Sequence, residues 1–219
     1  MKETTNTTQH FSKSYLIVNE VFNAITHGIG VGLSIAGLVL LLIKGTQNGS
    51  ALEVVSYAIY GTTLILLYLA STLFHSLMFT KAKKIFQIFD HSSIYLLIAG
   101  TYTPYCLVTV GGPLGWSLFG VIWLMAILGV VYKCIWLGKY QNASTVIYII
   151  MGWLCLIAMK PLYSGLGPIG FWLLVAGGVS FTVGALVYSM RSVRFMHVLW
   201  HLFVMLGTGF MYFSILLYA

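Results

Sequence analysis

Apolar residues run along this chain in long blocks, divided by short polar or charged interruptions. A helix that crosses a bilayer needs about 20 mostly apolar residues. Seven blocks fit, at residues 18–43, 53–79, 86–109, 114–136, 144–160, 168–190 and 195–218. The breaks fall at Lys44 to Ser50, Lys81 to Lys84, Gly111-Gly112-Pro113, Gly138 to Asn142, Lys160-Pro161 through Gly167-Pro168, and Arg191 to Arg194. The expected fold is all-α: a seven-transmembrane-helix bundle over residues 17–219, behind a polar tail of residues 1–16. The fifth block is the shortest and ends in a Lys-Pro. Within the first, Gly28, Gly30, Gly32, Ser34, Ala36 and Gly37 form a small-residue stripe, and the Gly28-xxx-Gly32 spacing predicts close helix packing. Pro104 is expected to kink the third helix.

Composition agrees with a membrane setting. The chain is 59% hydrophobic and 7% charged, with a mean hydropathy of +0.95, where soluble domains carry about 25% charged residues. The spans claim nearly every residue, which leaves no room for a soluble domain. The net charge of +7 is therefore no sign of nucleic-acid binding and is read through topology. Lys2, Lys13, Lys81, Lys83, Lys84, Lys133, Lys139, Arg191 and Arg194 fall on the side of the N-terminus, against Lys44 and Lys160 on the other. Nine against two places the N-terminus in the cytoplasm and the C-terminus outside, in the cell membrane. That is the reverse of a G-protein-coupled receptor. Cys106, Cys134 and Cys155 are odd in number, show no CxxC spacing and define no disulfide framework. The tail lacks the apolar core and cleavage site of a secretory signal, and its Asn6-Thr7-Thr8 sequon falls on the cytoplasmic side.

The candidate chemistry lies in polar residues inside the spans. His197 and His201 are four apart, so both imidazoles share one helix face. In lipid they want a partner, either a divalent metal or a neighbouring carbonyl, and the pair alone leaves both open. Glu20, Asn23 and His27 share a face of the first span; Ser71 and His75 end the second; Asp90 and His91 open the third. All fall in the cytoplasmic half of their helices, which predicts one buried polar site. His75, His197 and His201 supply three nitrogens with a fourth position open to water or Asp90, the pattern of a catalytic zinc site. Zinc lowers the pKa of bound water from near 16 to about 7. Asp90 can ligate or act as general base, and Ser71 can donate to a developing oxyanion. His91 lies about 100° round the helix from Asp90, which turns it toward lipid headgroups.

The stretches Glu20-Val-Phe-Asn23-Ala-Ile-Thr26-His27, Ser71-Thr-Leu-Phe74-His75, Phe89-Asp90-His91-Ser92 and His197-Val-Leu-Trp-His201 resemble the motifs of the haemolysin III family. This is the bacterial branch of the progestin and adipoQ receptor family, and the resemblance runs from about residue 15 to the C-terminus. In size and short tail the chain is most similar to the Bacillus-type members. The resemblance implies seven helices, a cytoplasmic N-terminus, and Zn2+ held by His75, His197 and His201. It also implies Asp90 at the metal or its water, Ser71 nearby, and Glu20, Asn23 and His27 around the site. The long cytoplasmic domain of the adiponectin receptors is absent from the pattern, so their signalling partners do not transfer.

The family resemblance points to hydrolysis of a membrane-lipid amide or ester, with the lipid as substrate. Two other functions compete with it. A cytolysin would need a soluble exported form, which seven apolar spans do not offer. A zinc-containing sensor would close its metal shell and do no chemistry. A retinal protein is excluded, because no lysine follows Lys160 to form a Schiff base in the seventh span. Nothing in the sequence sets an oligomeric state.

Overall fold

The computed structural model describes residues 11–136, 141–190 and 192–219. Lys2, Asn6, His10, Lys139 and Arg191 lie outside the described residues. Helix α1 spans Lys13–Gln47, opened by the Ser12 hydroxyl accepting from the Tyr15 amide, an N-cap that satisfies an otherwise orphaned donor. Ser50 does the same for Glu53 at the start of α2, Ala51–Ser76. Helix α3, Lys83–Pro104, widens into a π-helical turn at Tyr105–Val110. Pro104 keeps helical dihedrals, φ -64° and ψ -39°, and the π-helical turn follows directly after it. Then come α4, Gly112–Ile135, α5, Gln141–Trp153, a 3₁₀ segment Leu154–Ala158, α6, Met159–Ser189, and α7, Met196–Tyr218. Among the described residues there is no strand. Among the described residues, six stretches are long and apolar enough to cross a membrane, with Ser144–Ser189 counting as one continuous run.

The surface carries Leu33, Phe22, Ile29, Leu128, Trp172 and Leu217 at half exposure or near it, while Asn23, His27, Ser34, Ser71, His75 and His201 are buried. This is the reverse of a soluble protein. Lipid tails are as apolar as leucine, so helix association rests on close packing and interhelical polar contacts. On α1 the buried residues are Asn19, Asn23, His27, Gly30, Ser34, Gly37, Leu41 and Gly45, every third or fourth position. The stripe is polar in its first half and small in its second.

That phase corrects the expected glycine contact. Gly32 faces open space, whereas Gly30 lies against the Tyr68 ring and Gly37 against Tyr212, so close that a Cβ at either would clash. The buried stripe passes through 23, 27, 30, 34 and 37, and 28 and 32 fall beside it. A second correction concerns the break expected from Lys160 to Pro168. Helix α6 already starts at Met159, so Pro161 sits in its first turn, where its missing N–H costs no helical bond. The break is at one residue, Gly167, with φ 65° and ψ 175°, a conformation that suits glycine. Helix α1 packs on α2 and α7, α2 on α3, and α6 on α7, while α5 touches its neighbours sparsely.

Candidate metal centre

His75 is the last residue but one of α2, and His197 and His201 lie in the first two turns of α7. Phe195 caps the start of α7, and its φ of 59° turns the chain sharply into the helix. The Phe195 N–H donates to the Tyr15 hydroxyl at 2.8 Å, and its ring meets Tyr15 and Phe22 edge-on. The first turns of α1 therefore fix where α7 starts, and with it the histidine pair.

The three imidazoles form a nearly equilateral triangle: ring centres are 5.0 Å apart for His75–His197 and 4.9 Å for the other two pairs. One nitrogen from each converges, all within 4.8 Å of one another. The outer hydrogen bonds fix which nitrogen that can be. His75 Nδ1 lies 2.6 Å from Glu20 Oε2, and a carboxylate only accepts, so Nδ1 carries the hydrogen. His75 Nε2 is left with its lone pair, buried and without a hydrogen-bond partner. His201 Nδ1 likewise donates to the Asn23 carbonyl oxygen at 3.3 Å, with Thr26 Oγ1 at 3.4 Å. Metal-binding histidines are oriented this way, by a carboxylate or a carbonyl on the far nitrogen. The residues present therefore fit a metal ion. Three neutral imidazoles suit a borderline cation such as zinc.

Around the triangle the other expected residues are all present, at different distances. His27 stacks on His201, ring centres 3.6 Å apart and 10° from parallel, with both its nitrogens buried and unpartnered. The Asn23 side chain is fully buried, and neither of its polar atoms is bonded. Glu20 reaches the site through His75 alone. Asp90 stands outside the cluster of converging donors, next to Ser71 and 3.9 Å from His91 Nε2. His91 corrects an expectation. It turns inward, lines the same cavity as Asp90 and packs edge-on to Phe74. Sequence reasoning missed Lys133 altogether. Counted as a loop charge, it is 2% exposed and lines that cavity from the last turns of α4. The only signal for it is position: it lies four residues beyond Gly129, which continues the buried stripe of α4.

The cavity has a volume of about 160 Å³. At one end it is bordered by His197, His201, Ser71 and Asp90; from there apolar side chains such as Ile98, Leu118, Leu162 and Met211 line it through the bundle. The cavity thus joins a hydrogen-bonding corner to an apolar lining.

Comparison with known proteins gives the site its relatives. A family model described as "Haemolysin-III related" matches residues 15–212. The chain is 50% identical to "Hemolysin-3" of Bacillus cereus, over 93% of each chain. It is 47% identical to the "Hemolysin-3 homolog" of Bacillus subtilis, over 94% of this chain and 96% of that one. The human "Monocyte to macrophage differentiation factor" is 28% identical, over 88% of this chain and 81% of its own length. The matched region holds the histidine triangle, the residues that orient it and the helices that carry them, and the chain belongs to the haemolysin-III-related family as a multi-pass membrane protein.

Proposed function

We propose that this protein is an integral-membrane zinc hydrolase that cleaves the acyl amide or ester bond of a membrane lipid. The observation that carries this reading is the juxtaposition of three convergent, outer-bonded histidines with an apolar cavity. His75, His197 and His201 hold the ion. Zinc, when bound, supplies Lewis-acid activation of water near neutral pH. Asp90 stands beside the triangle and accepts the proton of the attacking water at its carboxylate, as general base. Ser71, next to Asp90, turns its one hydroxyl hydrogen toward the developing oxyanion. Glu20 and the Asn23 carbonyl keep the two imidazoles in the tautomer that leaves Nε2 free. The hydrocarbon chain of the lipid occupies the cavity, which excludes bulk water from the reacting carbonyl. Lysis by the relatives named for it would follow from such cleavage.

The proposed topology has a cytoplasmic tail of residues 1–16 and a membrane domain of residues 17–219 that crosses seven times. The run Ser144–Ser189 then counts twice, folding back near Gly167. Support comes from the Trp153 indole, which donates to Thr182 Oγ1 at 3.1 Å across 29 residues. It follows that the site lies near the cytoplasmic face and the C-terminus outside. Cysteine labelling of intact cells at positions 5 and 219 tests this; a C-terminus reached only from the cytoplasm overturns it.

Metal analysis is the primary test. Protein purified without chelator should carry about one zinc per chain, and the His197→Ala/His201→Ala double variant almost none. Acyl-amide cleavage by membranes containing the protein should disappear with the metal. Cleavage that persists in the metal-free variant removes the hydrolase.

A further inference from the structure

Resting on that reading of the cavity, we propose that Lys133 binds the phosphate of an anionic lipid headgroup, giving the site a charge specificity separate from the metal. The buried face of α4 is Gly115, Leu118, Ile122, Ala126 and Gly129, then Lys133. A cation thus continues an otherwise apolar stripe into the bundle. A lysine near a helix end ordinarily extends its stem and puts the ammonium in water. This one is 2% exposed and faces the cavity near His91.

Its counter-charge does not come from the chain. Of the four acidic residues, Glu20 pairs with His75, Asp90 lies beside Ser71 and 3.9 Å from His91, and Glu53 binds Asn48 at the far end of the bundle. The fourth, Glu3, lies outside the described residues. Among the described residues no hydrogen-bond acceptor holds the ammonium, which stands 5.9 Å from the centre of the Tyr132 ring. A buried charge without a partner is costly, which leaves the cavity as the source of one. A compact ammonium with three donors suits a phosphate. A carboxylate freed by cleavage would arise at the histidines, so an anion at Lys133 is a second polar point on the same lipid.

The test is binding, read without turnover. Full-length protein in uncharged nanodiscs is titrated with a monoacylglycerol phosphate, with the uncharged monoacylglycerol of equal chain length, and with inorganic phosphate. Wild type should prefer the acyl phosphate by at least about 10-fold. Lys133→Met should erase that preference while binding of the uncharged lipid stays within about twofold, and Lys133→Arg should retain most of it. Inorganic phosphate at millimolar concentration should not displace the acyl phosphate; if it does, the ligand is a free anion and the headgroup assignment falls. Equal affinities in wild type, or a preference surviving in Lys133→Met, overturn the proposal. If Lys133→Met fails to fold, the wild-type ratio and Lys133→Arg still decide. His197→Ala/His201→Ala should keep the preference. A preference without metal-dependent cleavage refutes only the hydrolase, and cleavage without a preference refutes only the role of Lys133.

Discussion

Two lysines at opposite ends of the bundle show how differently one residue type is used. Lys44, in the last turn of α1, donates to the carbonyl oxygens of Ile215 at 3.2 Å and Ala219 at 2.5 Å, and the Tyr57 hydroxyl also donates to Ala219. Its ammonium joins α1 to the end of α7 and its bonds are met inside the protein. Lys133 has no such acceptor among the described residues. Two clusters of polar groups repeat the contrast, although Ser56 Oγ near Lys44 is also buried and unbonded. At the Lys44 end Asn48 and Glu53 bind each other. At the histidine end both His27 nitrogens, His75 Nε2 and the Asn23 amide stay unpartnered. Satisfied groups hold helices together. Unsatisfied ones, costly in a dry interior, mark where something else binds.

If that division is right, substitutions at the histidine end should change function and barely change stability, with the reverse at the other end. The largest effect is expected for Asp90→Asn. An amide cannot take a proton, and general-base help is worth about 10²- to 10⁴-fold. Lipid cleavage should fall by at least about tenfold while zinc at saturation stays near one per chain. Full activity in this variant would remove Asp90 from the chemistry. Next comes Glu20→Ala, which deletes the acceptor that orients His75. Zinc affinity, measured by competition with a chromophoric chelator, should weaken about 10- to 100-fold. Unchanged affinity would reduce the 2.6 Å contact to helix packing. The smallest effect belongs to Lys44→Met, with a loss of about 1–3 kcal/mol of stability for bonds to a charged group. It should show as a lower thermal midpoint in detergent, with zinc content and acyl-lipid binding intact. A loss of zinc there would mean that the two ends are coupled.

Much of this was legible from the chain. Long apolar runs mark membrane helices because lipid demands them, and the i, i+4 spacings of Ser71–His75 and His197–His201 carry over into shared faces. What the sequence could not tell was phase and context. Gly28 and Gly32 satisfy a packing motif, but the buried stripe is set by Asn23 and His27 and runs through Gly30 and Gly37 instead. Lys160-Pro161 looks like a loop because lysine is costly in lipid and proline dislikes helix interiors, yet a first turn tolerates them, and the real break needed only Gly167. His91 turns inward although it lies about 100° round the helix from Asp90, and Lys133 does so although charged groups ordinarily prefer water. Only the packing of α3, α4 and α5 around a cavity reverses that.

The contact of His201 with Asn23 links residues 178 positions apart, and that of His75 with Glu20 links residues 55 apart. In terms of biogenesis, the metal site is the last thing the chain can assemble. A ribosome inserting helices in order delivers Glu20 and His75 early, but the histidines of α7 arrive only when synthesis is almost done. No partially made chain can hold the ion with all three. Under the proposed function, metal loading would be a checkpoint that only a nearly complete, correctly threaded chain could pass, and a stalled or misinserted chain would stay catalytically silent.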